Sequence, residues 1–79
     1  MKKQLINCIE QYAMSMNELR NETSEEIAFV TCDTKKYLTI KKLFDKLELN
    51  HNEEFEVDGG DPYYMIYVNN TELKKLLGL

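Results

Sequence analysis

Apolar residues recur at helical spacing through the first twenty residues of the chain. The steps between them alternate four and three, which predicts one amphipathic helix over residues 2–21. The same spacing is compatible with a coiled-coil seam, but it spans fewer than three heptads, so the pattern favours burial against a sheet. The residues of this stripe are Leu5, Ile9, Tyr12, Met16 and Leu19.

Two further elements follow. Residues 27–32 are short, β-branched and apolar on both faces, which predicts a central strand. Residues 35–48 repeat apolar side chains at helical spacing after an N-cap at Asp33 or Thr34, which predicts a second helix. The alternative is a hairpin in which residues 37–40 form a strand. The helix is favoured because the apolar period continues and no glycine marks a turn.

The last third of the chain predicts a hairpin and a short helix. Residues 53–58 alternate, with Phe55 and Val57 expected to face inward and the acidic residues outward. Residues 59–62 form a glycine-proline turn, and residues 63–68 form the return strand. Asn70 or Thr71 then caps a helix that Gly78 ends.

These elements predict the order α-β-α-β-β-α, an α+β domain in which a small three-stranded sheet packs with helices. At 79 residues the chain is expected to form one domain, residues 1–79. The composition, 43% hydrophobic and 30% charged, is that of a folded domain rather than a disordered tail. The sequence begins without a signal-peptide pattern and has no membrane-length apolar run, so a cytoplasmic protein with no membrane partner is expected.

Little in the sequence predicts chemistry. There is no nucleophile motif and no glycine-rich phosphate loop, so no enzymatic activity and no cofactor are expected. Cys8 and Cys32 are expected to be reduced core residues, and the sole histidine, His51, is expected on the surface. The acidic residues around the glycine turn lack the spacing of a calcium loop, so no metal is expected either.

Charge is distributed unevenly. Residues 33–47 carry a net charge of +3 and residues 48–62 a net charge of −6. The positive segment places lysines on the second helix, a face that could meet phosphates or simply be solvated. These lysines are Lys35, Lys36, Lys41, Lys42 and Lys46.

The negative segment places carboxylates on the outward side of a strand, about 6.5–7 Å apart. This spacing is close to that of phosphates along a nucleic-acid strand, so the hairpin could occupy a basic groove. The alternative is an edge strand whose charges discourage edge-to-edge pairing. A neighbouring strand presents tyrosines on one of its faces, and these are either interface residues or core, depending on how many faces of the sheet the helices cover. The predicted partner-binding residues are Glu53, Glu54, Glu56, Asp58, Asp61, Tyr63 and Tyr67.

In size, acidity, preference for lysine over arginine and lack of catalytic motifs, the chain resembles small inhibitor proteins of phages and mobile elements, such as the anti-CRISPR proteins. The resemblance implies a non-enzymatic inhibitor whose partner is a larger nucleic-acid-handling protein, with no direct nucleic-acid contact. The alternative hypothesis is a nucleic-acid-binding regulator that uses the lysine helix, as a homodimer. A third is a structural adaptor domain. Self-association is expected through the Leu5–Leu19 stripe or the tyrosine strand.

Overall fold

The computed structural model describes residues 1–79, with every side chain except that of Asp58. Four helices and a three-stranded antiparallel sheet form one α+β unit, which confirms the predicted fold class. Both strand pairings are antiparallel, and the strand order is β1-β3-β2. In chain order the elements are α1 (Lys2–Tyr12), α2 (Met16–Asn21), β1 (Glu26–Thr31), α3 (Thr34–Lys46), β2 (His51–Asp58), β3 (Asp61–Asn69) and α4 (Asn70–Leu77).

The single helix predicted over residues 2–21 is wrong, because the chain breaks into α1 and α2. Ser15 starts α2 by accepting a hydrogen bond at its Oγ from the Glu18 backbone N–H, at 3.1 Å. A Ser or Thr followed three residues later by Glu is the sequence signature of a helix start. The apolar spacing survives the break, since Leu5, Ile9 and Leu19 are all buried within the same chain. These three side chains therefore pack in the core, while Tyr12 and Met16 of the same stripe are half-buried.

The expectation that β1 is the central strand is also wrong. β3 lies in the centre, paired with β1 on one side and β2 on the other. β1 is apolar on both faces for a different reason. Ile27 and Phe29 are buried under the helices, while Ala28 and Val30 are half-buried on the opposite face.

Helices α3 and α4 form as predicted, with caps that the structure identifies. Asp33 caps α3, its Oδ1 accepting from the backbone N–H groups of Lys35 and Lys36. The helical prediction over residues 37–40 is confirmed against the hairpin alternative. Asn69, rather than Asn70 or Thr71, caps α4, and Gly78 ends it in the left-handed region at φ 75°. Asn70 is instead buried, and its amide donates to the carbonyls of Glu22 and Ser24.

The β2–β3 hairpin is longer and its turn tighter than the sequence predicts. β2 begins at His51 and β3 at Asp61, so the turn contains only Gly59 and Gly60. Their φ angles of 61° and 93° are accessible to glycine at little cost, as a two-residue hairpin turn requires. Pro62 is tolerated in the central strand because β1 pairs with β3 only from Tyr64 onward, leaving no N–H needed on that side.

One core lies between the helices and one face of the sheet. We call this the covered face, and the opposite one the open face. The buried apolar residues of the core are Leu5, Cys8, Ile9, Leu19, Ile27, Phe29, Ile40, Phe44, Leu49, Ile66, Val68, Leu73 and Leu77.

Three burial predictions are wrong. Phe55 and Val57 lie on the covered-face side of β2, in register with Tyr64 and Pro62, but they are 57% and 62% exposed. Tyr37 of α3 stacks on Tyr64 at this end of the hairpin and leaves Phe55 and Val57 more than half exposed. Cys32 is exposed just after β1, whereas Cys8 is buried as expected. Burial raises the pKa of the Cys8 thiol to about 11.

Candidate protein-binding surface

The open face carries the tyrosine side of β3. Because every helix contributes to the core on the covered face, Tyr63, Met65 and Tyr67 are left on the uncovered side of the sheet, each half-buried by its neighbours. The strand register places Ala28 and Val30 of β1 beside them. The structure therefore decides between the two alternatives for this strand in favour of an aromatic face that no helix covers.

Acidic side chains surround these aromatic residues. Glu54 and Glu56 of β2 lie opposite Met65 and Tyr63, and Glu26 begins β1 at the other edge. The Tyr67 hydroxyl lies 3.5 Å from Glu54 Oε2 and 3.3 Å from Met65 Sδ. Among the side chains that the structure describes on this face, none is Lys, Arg or His. The open face is therefore aromatic and uniformly acidic.

These acidic side chains affect the pKa of the Tyr67 hydroxyl. Its pKa is raised, first by burial and then by the negative charge and hydrogen bond of Glu54 and the charges of Glu56 and Glu26. All three carboxylates disfavour the phenolate because like charges repel. Residues from both edge strands therefore act on one side chain of the central strand.

The structure brings together most of the predicted partner-binding residues. Glu54, Glu56, Tyr63 and Tyr67 share the open face, and the register places exposed Asp61 on the same face next to the turn. The side chain of Asp58 lies outside the described residues.

Glu53 does not join this surface. It lies on the covered-face side of β2, where the Tyr37 hydroxyl donates to its Oε2 at 2.6 Å. Lys41 Nζ lies 3.0 Å from its other oxygen. These two partners, Tyr37 before Lys41, lower the pKa of Glu53. Its charge is thus already paired with α3, and it adds no free carboxylate to the open face.

His51 lies beside Glu53 and Lys41. The sequence predicts it on the surface, but the structure largely buries it. Its side chain is only 9% exposed, its Nδ1 lies 2.8 Å from the Leu49 carbonyl, and its ring packs against Phe44 at a centroid distance of 5.6 Å. Glu53 Oε1 lies 3.7 Å from its Nε2. The residue therefore joins the start of β2 to α3.

Sequence reasoning missed three contributors to the open face: Glu26, Ala28 and Val30. Their alternation with buried Ile27 and Phe29 was readable from the sequence. What could not be read was that β1 pairs with the tyrosine strand, since the pairing joins residues about forty positions apart.

The lysine helix forms the rival surface. Lys35, Lys36, Lys42 and Lys46 are exposed on α3, while Lys41 is engaged by Glu53. The last two exposed lysines line a groove of about 490 Å³ between α1 and α3, whose wall also includes the edge of Cys8. Four lysines can contact phosphates. Without an arginine, however, this helix lacks the side chain that makes paired hydrogen bonds to a base edge and so recognises sequence.

Among the residues that the structure describes, no three His, Cys, Asp or Glu side chains converge as metal ligands would. None of the helices described is both long and apolar enough to cross a membrane. No protein-family model, no curated protein and no solved structure matches this chain.

Proposed function

We propose that this chain is a non-enzymatic protein-binding module that inhibits a larger nucleic-acid-handling protein by occupying its basic groove. The contact surface is the open face near the hairpin turn. Carboxylates supply electrostatic attraction and tyrosines supply the anchors. The observation that supports the proposal is the placement of Glu54 and Glu56 on the same uncovered face as Tyr63 and Tyr67.

Each component has a physical role. Outward carboxylates of one strand repeat about every 6.5–7 Å, so they can meet successive cations that line a phosphate-binding groove. A uniformly acidic face attracts such a groove over a distance of about a Debye length, roughly 8–10 Å in physiological salt. Tyrosine is enriched among the residues that dominate protein interfaces, because its ring buries a large area and its hydroxyl keeps a hydrogen bond.

The second candidate function is nucleic-acid binding by α3. The exposed lysines of this helix support it, and the groove between α1 and α3 gives them an adjoining concave surface. The two candidates make opposite demands on charge, since the first requires the acids of β2 and the second the lysines of α3.

The test begins by trapping the partner. A photoreactive phenylalanine analogue replaces Tyr67, and a control variant carries it at Leu76, which is exposed on α4. Proteins crosslinked in cells only through the position-67 variant are then purified, and their binding to a fluorescent oligonucleotide is measured. The unmodified protein is expected to displace the oligonucleotide, with weaker displacement as salt rises.

Charge variants decide between the candidates. Glu54→Lys with Glu56→Lys is expected to weaken partner binding at least tenfold, about 1.4 kcal/mol, because attraction becomes repulsion. The comparison variant on α3, Lys42→Gln with Lys46→Gln, is expected to change it by less than about twofold, roughly 0.4 kcal/mol. If the lysine pair has the larger effect, or if the purified protein retards free DNA or RNA in a gel, nucleic-acid binding replaces the proposed function.

A further inference from the structure

Strand β2 is an edge of the sheet with an unusual pattern of side chains. It pairs with β3 along one side only, and residues 52–57 are all exposed. The backbone N–H and C=O groups along the other side of an edge strand can pair with a further strand. Six consecutive exposed residues without proline leave enough length for such pairing.

The two sides of this edge differ in chemistry. Glu54 and Glu56 point to the open face, whereas Phe55 and Val57 point to the other side and are more than half exposed. Phe55 does not stand alone, because its ring packs against Tyr64 at a centroid distance of 5.0 Å. The Tyr64 ring in turn stacks on Tyr37 at 4.2 Å. An incoming strand would therefore meet carboxylates on one side and an aromatic platform on the other.

A second copy of this chain does not fit the edge. In an antiparallel pairing of two β2 strands, residues that face each other lie on the same side of the sheet. Registers centred on residues 54, 55 and 56 set Glu54 opposite Glu54, Glu54 opposite Glu56, and Glu56 opposite Glu56, respectively. Each of these registers therefore includes a Glu–Glu pair, and like charges directly opposite are destabilising.

We propose that β2 is a strand-addition site for a partner segment in which basic and apolar residues alternate. Lys or Arg side chains of the added strand lie beside Glu54 and Glu56 on the open face. Its apolar side chains lie beside Phe55 and Val57 on the other face. The inference rests on the proposed function, whose acidic residues it shares, and it names the part of the partner that those residues contact.

The test uses a synthetic eight-residue peptide of alternating lysine and valine, with blocked ends. The control peptide has the same composition with four lysines followed by four valines. Both carry the same charge, but only the alternating peptide can place its lysines on one side of an added strand. Fluorescence anisotropy with a labelled peptide is expected to show at least tenfold tighter binding of the alternating peptide.

Hydrogen exchange locates the contact. At saturation with the alternating peptide, the outward-facing amides of β2 are expected to exchange at least tenfold more slowly, because they become hydrogen-bonded to the peptide. Purely electrostatic attachment to the carboxylates leaves their exchange unchanged. Unchanged exchange, or equal affinity for the two peptides, overturns the strand-addition site.

Matched variants separate this inference from the proposed function. Phe55→Thr with Val57→Thr is expected to weaken the alternating peptide at least fivefold and leave the block peptide unaffected. Leu76→Thr, at an exposed apolar residue of α4, is the control and is expected to change neither. If the alternating peptide binds no better than the block peptide while Glu54→Lys with Glu56→Lys still weakens partner binding at least tenfold, only strand addition is wrong. If the peptide pairs but the trapped protein keeps its oligonucleotide, only the inhibitory function is wrong.

Discussion

The two halves of the β2–β3 hairpin differ in what lies above them. In the half next to the helices, Ile66 and Val68 of β3 are each 1% exposed. In the half next to the turn, Phe55 and Val57 of β2 project to the same side of the sheet but are 57% and 62% exposed. Alternation along a strand determines the side to which a residue points, and a second layer of structure determines whether it is buried.

The two halves of the hairpin also differ in their roles: one contributes to stability and the other to the proposed binding surface. The helix-covered half of the hairpin faces the core, where Phe29 of β1 and Phe44 of α3 meet edge to face at a centroid distance of 4.9 Å. The half near the turn carries the carboxylates and aromatic residues of the proposed binding surface. Because its side chains contribute little to the core, changes there can alter binding while the fold persists. The predictions below test this division, from the largest expected effect to the smallest.

Phe44→Ala is expected to lower the free energy of unfolding by about 3–5 kcal/mol, because a fully buried ring leaves a cavity in the core. Phe55→Ala is expected to lower it by less than about 1 kcal/mol, since this ring is already more than half exposed. Chemical denaturation of both variants measures the contrast. If Phe44→Ala does not fold, Phe44→Leu provides the comparison. Similar losses of stability at positions 44 and 55 would show that the half near the turn contributes to stability as much as the core does.

Asn70→Ala is expected to cost about 1–3 kcal/mol, because it removes the only side-chain donor shown to the carbonyl of Ser24 and one of the two shown to that of Glu22. These bonds join the start of α4 to the segment before β1. The matched control is Asn52→Ala, an exposed asparagine of β2, with an expected change within about 0.5 kcal/mol. Thermal or urea unfolding distinguishes them. Equal effects would mean that the buried amide contributes no more than a surface one.

Ser15→Ala is expected to cost about 1 kcal/mol, through loss of the hydrogen bond that starts α2. Thr23→Ala, at an exposed residue that caps no helix, is the control. Circular dichroism and urea unfolding of the two variants give the measurement. A stabilised Ser15→Ala protein with increased helix content would indicate that α1 and α2 prefer to join into one helix.

Glu53→Gln tests the contact between β2 and α3 through its pH dependence. Tyr37 and Lys41 lower the pKa of Glu53 below 4.5, so the folded state favours its charged form. The stabilisation is therefore complete above pH 4.5 and is lost as the pH falls through the lower folded-state pKa. Unfolding at pH 7 is expected to show the variant as slightly less stable, with a difference that shrinks toward pH 3.

Glu10→Gln, on the exposed side of α1, is the matched control for removal of one carboxylate. A Glu53→Gln deficit that stays constant from pH 7 to pH 3 would show that the carboxylate charge does not join α3 to β2.

Local patterns in the sequence predicted most of the secondary structure. Helical spacing identified α3 and α4, and alternation with a pair of glycines identified the hairpin. The break between α1 and α2 was also encoded locally, in Ser15 and Glu18, although the continuous apolar spacing concealed it. Alternation should likewise have placed Glu53 with Phe55 rather than with Glu54. These features were within reach of the sequence because the groups that cause them lie within a few residues of one another.

The sequence by itself thus determined the elements, the acidic character of the hairpin and the pattern of alternation. Only the tertiary structure decided that β3 is central, that helices cover one face, and that Glu53 pairs with Lys41 of α3 while Glu54 and Glu56 lie on the open face. It also left Phe55 and Val57 uncovered. The physical reason is that strand order and layer packing depend on contacts between distant segments, and no local spacing records which segments will meet.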